Sequence, residues 1–469
     1  MSTTHHQPHA HSGAPTHQRF HIVLTSAIAA LAGLLFGLDI GVISGALPFI
    51  AKQFQVNDQM QEWIVSSMMV GAAIGALGSG WMARAIGRKV SLMIAAALFA
   101  LASTLCAFAV SPAMLIGGRV LLGLAVGIAS FTAPLYLSEI APRTMRGALI
   151  SLHQLMVTVG ILAAFLSNTA FSGSGDWRWM LGVIAFPALA MLVGLIFLPR
   201  SPRWLMSVGR REEAEAVLHK LRGDEQAIQT EMREIDEQLK VEFEGWGLFR
   251  SNKNFRRSVL LGVLLQIAQQ LTGINVVMYY APRIFGLAGY GSSHDQLWGT
   301  VIVGVVNVAL TFVAIGLVDR WGRKPILYTG FTVMALALAS LGTLMHVGIT
   351  TPAHQYAAVA ALLIFIAGFA MSAGPMIWIL CAEIQPIKGR DFGIAVSTFV
   401  NWVANTIAGA TFLTLLNTVG NAQTFWLYAL LNAVFVLMTL WIVPETKGVS
   451  LEQIERKLMA GKPLRQIGQ

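Results

Sequence analysis

Residues 31–48 read LAGLLFGLDIGVISGALP, an apolar run that carries a single carboxylate, Asp39, near its middle. About 20 apolar residues suffice for a helix to cross the hydrocarbon core of a bilayer. An aspartate at the centre of such a helix costs about 2.5 to 3.5 kcal/mol on insertion scales, so an acid kept there is read as a functional group with a partner elsewhere. Asp39 is expected to be a proton site. The plainer alternative is a carboxylate reaching water from a helix end. That requires the span to stop near Gly37 and leaves Ile40 to Ile50 without a place.

Composition extends the reading to all 469 residues: 55% are apolar, 12% are charged and the mean hydropathy is +0.65, which excludes an assembly of soluble domains. From Ile22 onward twelve spans can be placed, roughly at 22–47, 62–83, 90–110, 114–137, 147–169, 179–198, 258–281, 297–318, 326–346, 355–381, 391–416 and 423–443. The start, MSTTHHQPHAHSGAPTHQRF, lacks the apolar core of a cleavable signal. Residues 1–20 hold His5, His6, His9, His11 and His17 among Pro, Gly and Ser, and a disordered tail is expected. No spacing there fixes a coordination geometry, so no metal site is assigned. Cys106 and Cys381 both fall in apolar runs and read as structural thiols.

A formal charge of +9 raises the question of nucleic acid, and the placement of the charge answers it. Segments after even-numbered spans carry Arg84, Arg88, Lys89, Arg143, Arg146, Arg320, Arg323, Lys324, Lys388 and Arg390, together with a basic loop at 199–257. Those after odd-numbered spans carry only Lys52, Arg178 and Arg283. With Arg19 and the last tail included, 28 of the 32 Lys and Arg lie on one side. By the positive-inside rule that side is cytoplasmic and holds both termini. The excess charge is a topology signal, and no nucleic-acid partner is expected.

The loop at 199–257 divides the spans six and six. Within it SVGRREEAEAVLHKLRG places Ala214, Val217, Leu218 and Leu221 at helical spacing with Gly223 as a stop, which predicts cytoplasmic helices under the bundle. Gly87-Arg88-Lys89 returns as Gly322-Arg323-Lys324, and Glu139-Ile140-Ala141-Pro142 with Arg146 returns as Glu383-Ile384-Gln385-Pro386 with Arg390. Two similar halves follow, and an even number of spans in each gives them one orientation. The predicted fold is an all-α membrane protein of twelve transmembrane helices in two six-helix halves, the parallel repeat of the major facilitator fold. The units are a tail at 1–20, a first half at 21–198, the loop at 199–257, a second half at 258–446 and a tail at 447–469.

Away from the span ends the unambiguous ionisable residues inside the spans are Asp39 and Arg119, one of each sign. Arg119 lies in the glycine-rich run SPAMLIGGRVLLGLAVGIAS, whose small residues permit close helix approach. The two are expected to pair when the acid is ionised. Desolvation favours the neutral acid and the arginine favours the carboxylate, so small movements between them could load or release a proton. A static structural pair is the rival reading. His153 reads as a hydrogen-bonded bundle histidine in preference to a proton relay. Gln266, Gln269, Gln270 and Asn275 sit in the seventh span, with Gln266 and Gln269 on one face. Amides that both donate and accept suit a neutral polyol better than an ion. Asn401 with Trp402 adds to this set, as does Trp378 after a helix break expected at Gly374-Pro375.

At these residues the sequence resembles the sugar porter family of the major facilitator superfamily. The strings that carry the likeness are GLLFGLDIGVISGALPFI, RVLLGLAVG, PLYLSEIAP, QQLTGINVVMYYAP, DRWGRKP, AGPMIWILCAEIQP and PETKG, and it runs from about Leu31 to Ile467. The resemblance implies a hexose carried with a proton, with Asp39 as the protonatable acid and Arg119 as its partner. It further implies sugar contacts at Phe36, Gln154, Gln266, Gln269, Gln270, Asn275, Tyr279, Asn307, Trp378 and Asn401. Arg88, Glu139, Arg146, Asp319, Arg323, Glu383 and Arg390 resemble a cytoplasmic salt-bridge network that latches the outward-facing state. Two departures stand out: Arg200 replaces an acid in Pro199-Arg200-Ser201-Pro202-Arg203, and Arg84 stands where the wider superfamily often has aspartate. A weaker latch in the first half is therefore expected.

The reading is a proton-coupled hexose symporter of the galactose or glucose type, working by alternating access in a bacterial inner membrane. It is expected to act as a monomer on a monosaccharide and a proton, with no cofactor and no metal. Facilitated diffusion is the nearest rival. A sugar receptor of transporter ancestry is disfavoured by the 25 residues after Pro444. An enzyme is disfavoured because no nucleophile or metal cluster stands beside Asp39.

Overall fold

The structure is a computed structural model that describes the backbone of residues 16–141, 146–222, 224–239 and 245–468, and their side chains apart from 16–23, 29, 146–151 and 319. The expected tail at 1–20 therefore lies almost wholly outside the described residues. Twelve helices long and apolar enough to cross a membrane are present among those described. They are Leu24–Phe54, Asp58–Ala85, Arg88–Ala107, Pro112–Ile140, Leu152–Ser172, Trp177–Phe197, Lys253–Leu287, Ser293–Val318, Arg323–Val347, Pro352–Glu383, Ile387–Thr418 and Asn421–Trp441, numbered here as spans one to twelve.

The starts are written in side chains that satisfy free backbone N–H groups. Asn57 accepts from Met60 N, Ser111 from Met114 N and Thr351 from His354 N, the last two followed at once by Pro112 and Pro352. Among the described residues the sixth span has a turn at Val183 and Ile184, both with helical φ/ψ, and two spans break more sharply. The seventh is interrupted at Gly273, whose φ of +92° is open to glycine and strained for other residues. The tenth breaks at Ser372 (φ −127°, ψ −90°), just before the expected Gly374-Pro375. These two open the next helix, Ala373–Glu383. A proline costs little there, because first-turn N–H groups have no partner within the helix.

Glycines decide which helices touch. Gly33, Gly37, Gly41 and Gly45 of the first span recur every four residues and lie against His153, Val157, Ala164 and Asn168 of the fifth. Gly71 and Gly75 of the second span meet Gly123 and Gly127 of the fourth, backbone on backbone. Such close approach lets dispersion hold helices together where lipid offers no hydrophobic drive. The halves meet where the second span packs along the eleventh and the fifth along the eighth.

Helices also form between the halves. Arg211–Arg222 buries Ala214, Leu218 and Leu221 as the spacing predicts; Val217 is partly buried, and the stop at Gly223 lies outside the described residues. Its Arg222 pairs with Glu231 at 2.8 Å and donates to Ile140 O at 2.9 Å, tying this layer to the end of the fourth span.

Candidate functional site

Asp39 and Arg119 are both fully buried, and Arg119 Nη1 donates to Asp39 Oδ1 at 3.3 Å. The guanidinium is aimed by the second span: Nε donates to Ile64 O at 2.7 Å and Nη2 to Val65 O at 3.4 Å. Those carbonyls fix the arginine independently of the acid. Asp39 Oδ2 has no hydrogen-bond partner, so one oxygen of a buried carboxyl is left for a proton.

Beside this pair a cavity of about 330 Å³ lies between the halves, within the range of about 300 to 1,000 Å³ usual for small-molecule sites. Phe36, Gln154, Gln269, Gln270, Asn275, Asn307, Trp378 and Asn401 line it. Gln266 and Tyr279 do not. Gln266 is sealed behind Asn401, whose Nδ2 donates to Gln266 Oε1 at 2.6 Å. Tyr279 stands behind Asn405, which donates to its hydroxyl at 3.3 Å. In this conformation the two stand behind residues that line the cavity, so the expected contact with a ligand is not made from the lining itself. His153 is not part of the lining and packs against Gly33.

The amides of the seventh and eleventh spans form one chain, tied to the backbone of the tenth. Asn275 Nδ2 donates to Gln270 Oε1 (2.6 Å), Gln270 Nε2 to Gln269 Oε1 (3.4 Å), and Asn401 Nδ2 to the same oxygen (2.9 Å). Gln269 Nε2 reaches Ala373 O at 2.9 Å and Gly374 O at 3.2 Å. These carbonyls follow the break in the tenth span and lie near the start of Ala373–Glu383. The break thus serves the site by giving the network backbone acceptors.

Two further lining residues hold unused polar atoms. Trp402 Nε1 and Asn405 Oδ1 are buried without a hydrogen-bond partner, one a donor and one an acceptor. Trp402 also meets Phe36 across the halves, ring centroids 5.5 Å apart. The sequence reading did not single out Asn405. Its signal is the repeat Asn401-x-x-x-Asn405, which puts both amides on one helical face.

On the side where the first span starts and the last ends, two charge clusters mirror each other. Arg88 Nε and Nη2 donate to Glu139 Oε1 at 3.1 and 2.7 Å, and Ser201 Oγ donates to Glu139 Oε2 at 2.5 Å. In the second half Arg323 Nη2 donates to Glu383 Oε1 at 3.0 Å and Thr446 Oγ1 to Glu383 Oε2 at 2.5 Å. Both pairs lie within a half. Nε and Nη2 of Arg390 are buried without an acceptor, and the side chains of Arg146 and Asp319 lie outside those described. The expected latch between halves is therefore not assembled from Arg88, Glu139, Arg323, Glu383 and Arg390 in this conformation. Arg88 gives Glu139 two hydrogen bonds, and the expected comparison with the second half turns on Asp319, whose side chain lies outside those described. Arg200, in place of the acid, lies over the Trp204 ring at 5.1 Å.

The opposite side is where the halves are joined. Glu62 of the second span is buried and accepts from Thr414 N and Thr414 Oγ1 of the eleventh, both at 2.7 Å. Asp58 accepts from Asn417 at 2.8 Å and from Arg283 at 3.2 Å.

Two similar six-helix halves around an amide-lined cavity define a membrane transporter, not an enzyme. The chain belongs to the sugar (and other) transporter family, whose model matches residues 25–458. It is 64% identical over 441 residues to the galactose-proton symporter of Escherichia coli strain K12, covering 94% of this chain and 95% of that protein. It is 56% identical to the arabinose-proton symporter of the same strain over 449 residues, 95% of each chain. Among solved structures it is similar to the partially occluded inward-open xylose transporter XylE from E. coli, with a TM-score of 0.81 and 32% identity. That match covers 92% of this chain and all of the other.

Proposed function

We propose that this protein imports a hexose of the galactose or glucose type together with a proton, by alternating access of its two halves. The observation that carries the reading is the buried Asp39 carboxyl, held at 3.3 Å by an arginine that the second span anchors separately, with its other oxygen unoccupied. A proton taken by Asp39 weakens its hold on Arg119. The amides of Gln269, Gln270, Asn275 and Asn401 can exchange some of their mutual hydrogen bonds for sugar hydroxyls, while Trp402 Nε1 and Asn405 Oδ1 offer one donor and one acceptor outright. Phe36, Trp378 and Trp402 supply apolar plates. The likeness to the galactose- and arabinose-proton symporters supports the substrate class.

The placement of 28 of 32 basic residues supports an orientation with both termini in the cytoplasm of a bacterial inner membrane. The cavity then opens inward, since its lining includes Ser130, Phe131 and Pro134 near the end of the fourth span and Ile394 and Thr398 near the start of the eleventh. The protein acts as a monomer, each chain containing both halves of its site. In the outward-facing state the clusters around Arg88–Glu139 and Arg323–Glu383 close on each other, with Arg390, Arg146 and Asp319 completing the latch. Each proton gains about 2.3 kcal/mol per 100 mV of membrane potential, enough to favour uphill accumulation. A sugar panel in proteoliposomes with and without a proton gradient tests this: galactose is concentrated only with the gradient. Equal accumulation in both conditions, limited to equilibration, would leave facilitated diffusion as the function.

A further inference from the structure

A second cavity, of about 390 Å³, lies at the end of the twelfth span, where the chain after it folds back. Its walls include Arg257, Trp441, Ile442, Leu464, Arg465 and Gln466. The apolar members at the span end face outward, Trp441 being 67% exposed and Ile442 38%. They sit where the hydrocarbon core gives way to headgroups, a level that tryptophan favours.

The cations around this cavity are incompletely neutralised. Arg257 is held in place by its own partners, donating to Lys462 O at 3.1 Å and to Asn254 Oδ1 at 3.4 Å, neither of them a charge. Arg465 makes no hydrogen bond or ion pair with any described residue. It lies close enough to Lys324 for the two charges to repel, while Lys324 Nζ donates to Leu440 O at 2.9 Å, one residue before Trp441. Glu445, the acid whose charge reaches Lys324, accepts from the backbone N–H groups of Arg323, Lys324 and Lys447 at 2.8 to 3.1 Å and brings one negative charge against three positive ones. Three cations gathered at one span end, beside an exposed indole and with one acid already engaged, leave a surplus of positive charge at headgroup depth. Basic pockets between spans on the cytoplasmic face suit the phosphodiester of an anionic lipid, and arginine pairs with phosphate through two parallel N–H groups.

We propose that this cavity binds the headgroup of an anionic phospholipid, its phosphodiester between Arg257 and Arg465 and its acyl chains along Trp441 and Ile442. The site is separate from the sugar cavity, and its test does not depend on transport. Purified full-length protein in detergent is titrated with phosphatidylglycerol, and retained lipid is read by native mass spectrometry beside phosphatidylethanolamine and glycerol 3-phosphate. Phosphatidylglycerol is expected to bind in preference to phosphatidylethanolamine, and the Arg257→Gln/Arg465→Gln protein to bind it at least about tenfold more weakly. Arg465→Lys should retain more affinity than Arg465→Gln. Arg465 is exposed and makes no described bond, so the single variant carries the test if the double one fails to fold. Unchanged affinity in Arg465→Gln and in the double variant overturns the proposal. So does competition by glycerol 3-phosphate at the lipid's own concentration, which would make this a site for free phosphate esters.

Discussion

Gln270 carries two of the links that hold the amide chain together, accepting from Asn275 at 2.6 Å and donating to Gln269 at 3.4 Å. Removing its carboxamide strips Asn275 of that acceptor and the cavity of one polar wall. Asn275 is only partly buried and can turn to water, whereas a sugar hydroxyl left unsatisfied in the bound state costs about 1 to 3 kcal/mol. Gln270→Ala should therefore bind galactose about ten- to a hundredfold more weakly, with thermal stability in detergent close to wild type. Wild-type affinity would remove the seventh span from the site. Asn405→Ala should weaken binding by up to about tenfold, the scale of one neutral hydrogen bond, since its Oδ1 is unclaimed in the protein itself. Equal affinities, read by isothermal titration, would detach Asn405 from substrate. Single residues were legible where their cost was high: Asp39 and Arg119 announce themselves because a lone charge inside a span is expensive. Depth was not legible. Gln266 and Gln269 share a helical face, and only the position of Asn401 in front of Gln266 decides which one meets the cavity.

At the scale of elements, period was readable and geometry was not. The return of Gly87-Arg88-Lys89 as Gly322-Arg323-Lys324 gave the two halves correctly. The matching Pro199-Arg200-Ser201 and Pro444-Glu445-Thr446 escaped notice, because the middle residue changes sign and the shared Pro-x-hydroxyl pattern is short. Yet Ser201 and Thr446 make equivalent bonds to Glu139 and Glu383. The four-residue glycine repeat of the first span was likewise silent until its partner helix was known. It predicts a contrast: a Cβ at Gly37 would collide with the Val157 carbonyl, whereas one at Gly117 meets nothing within 4 Å. Gly37→Ala should lower thermal stability by the equivalent of about 1 to 3 kcal/mol, the scale of an overpacked contact, and Gly117→Ala should not. Equal melting temperatures for the two variants would mean that the first and fifth spans are not held by this close approach.

At the scale of the molecule, the halves are bonded on the side away from the termini and unlatched, among the described residues, on the other. Glu62 is the buried link across that closed side. Hydrogen bonds to a charged group are worth about 1.5 to 3 kcal/mol each, so Glu62→Ala should shift the equilibrium toward the state open on that side by at least about tenfold. Spin labels at Val110→Cys and Val347→Cys, exposed positions at the far ends of the two halves, would report it as a larger population of long distances. An unchanged distribution would show that Glu62 does not hold the halves closed.

In the proposed mechanism, movement of a proton onto Asp39 is what makes sugar entry uphill. The most direct measurement follows external pH while galactose is added to de-energised proteoliposomes containing wild-type or Asp39→Asn protein. Wild-type vesicles should take up protons with sugar and alkalinise the medium, and Asp39→Asn vesicles should exchange labelled sugar without any pH change. Alkalinisation that persists in Asp39→Asn at the wild-type rate would place the coupling proton elsewhere and reduce the Asp39–Arg119 pair to a structural contact.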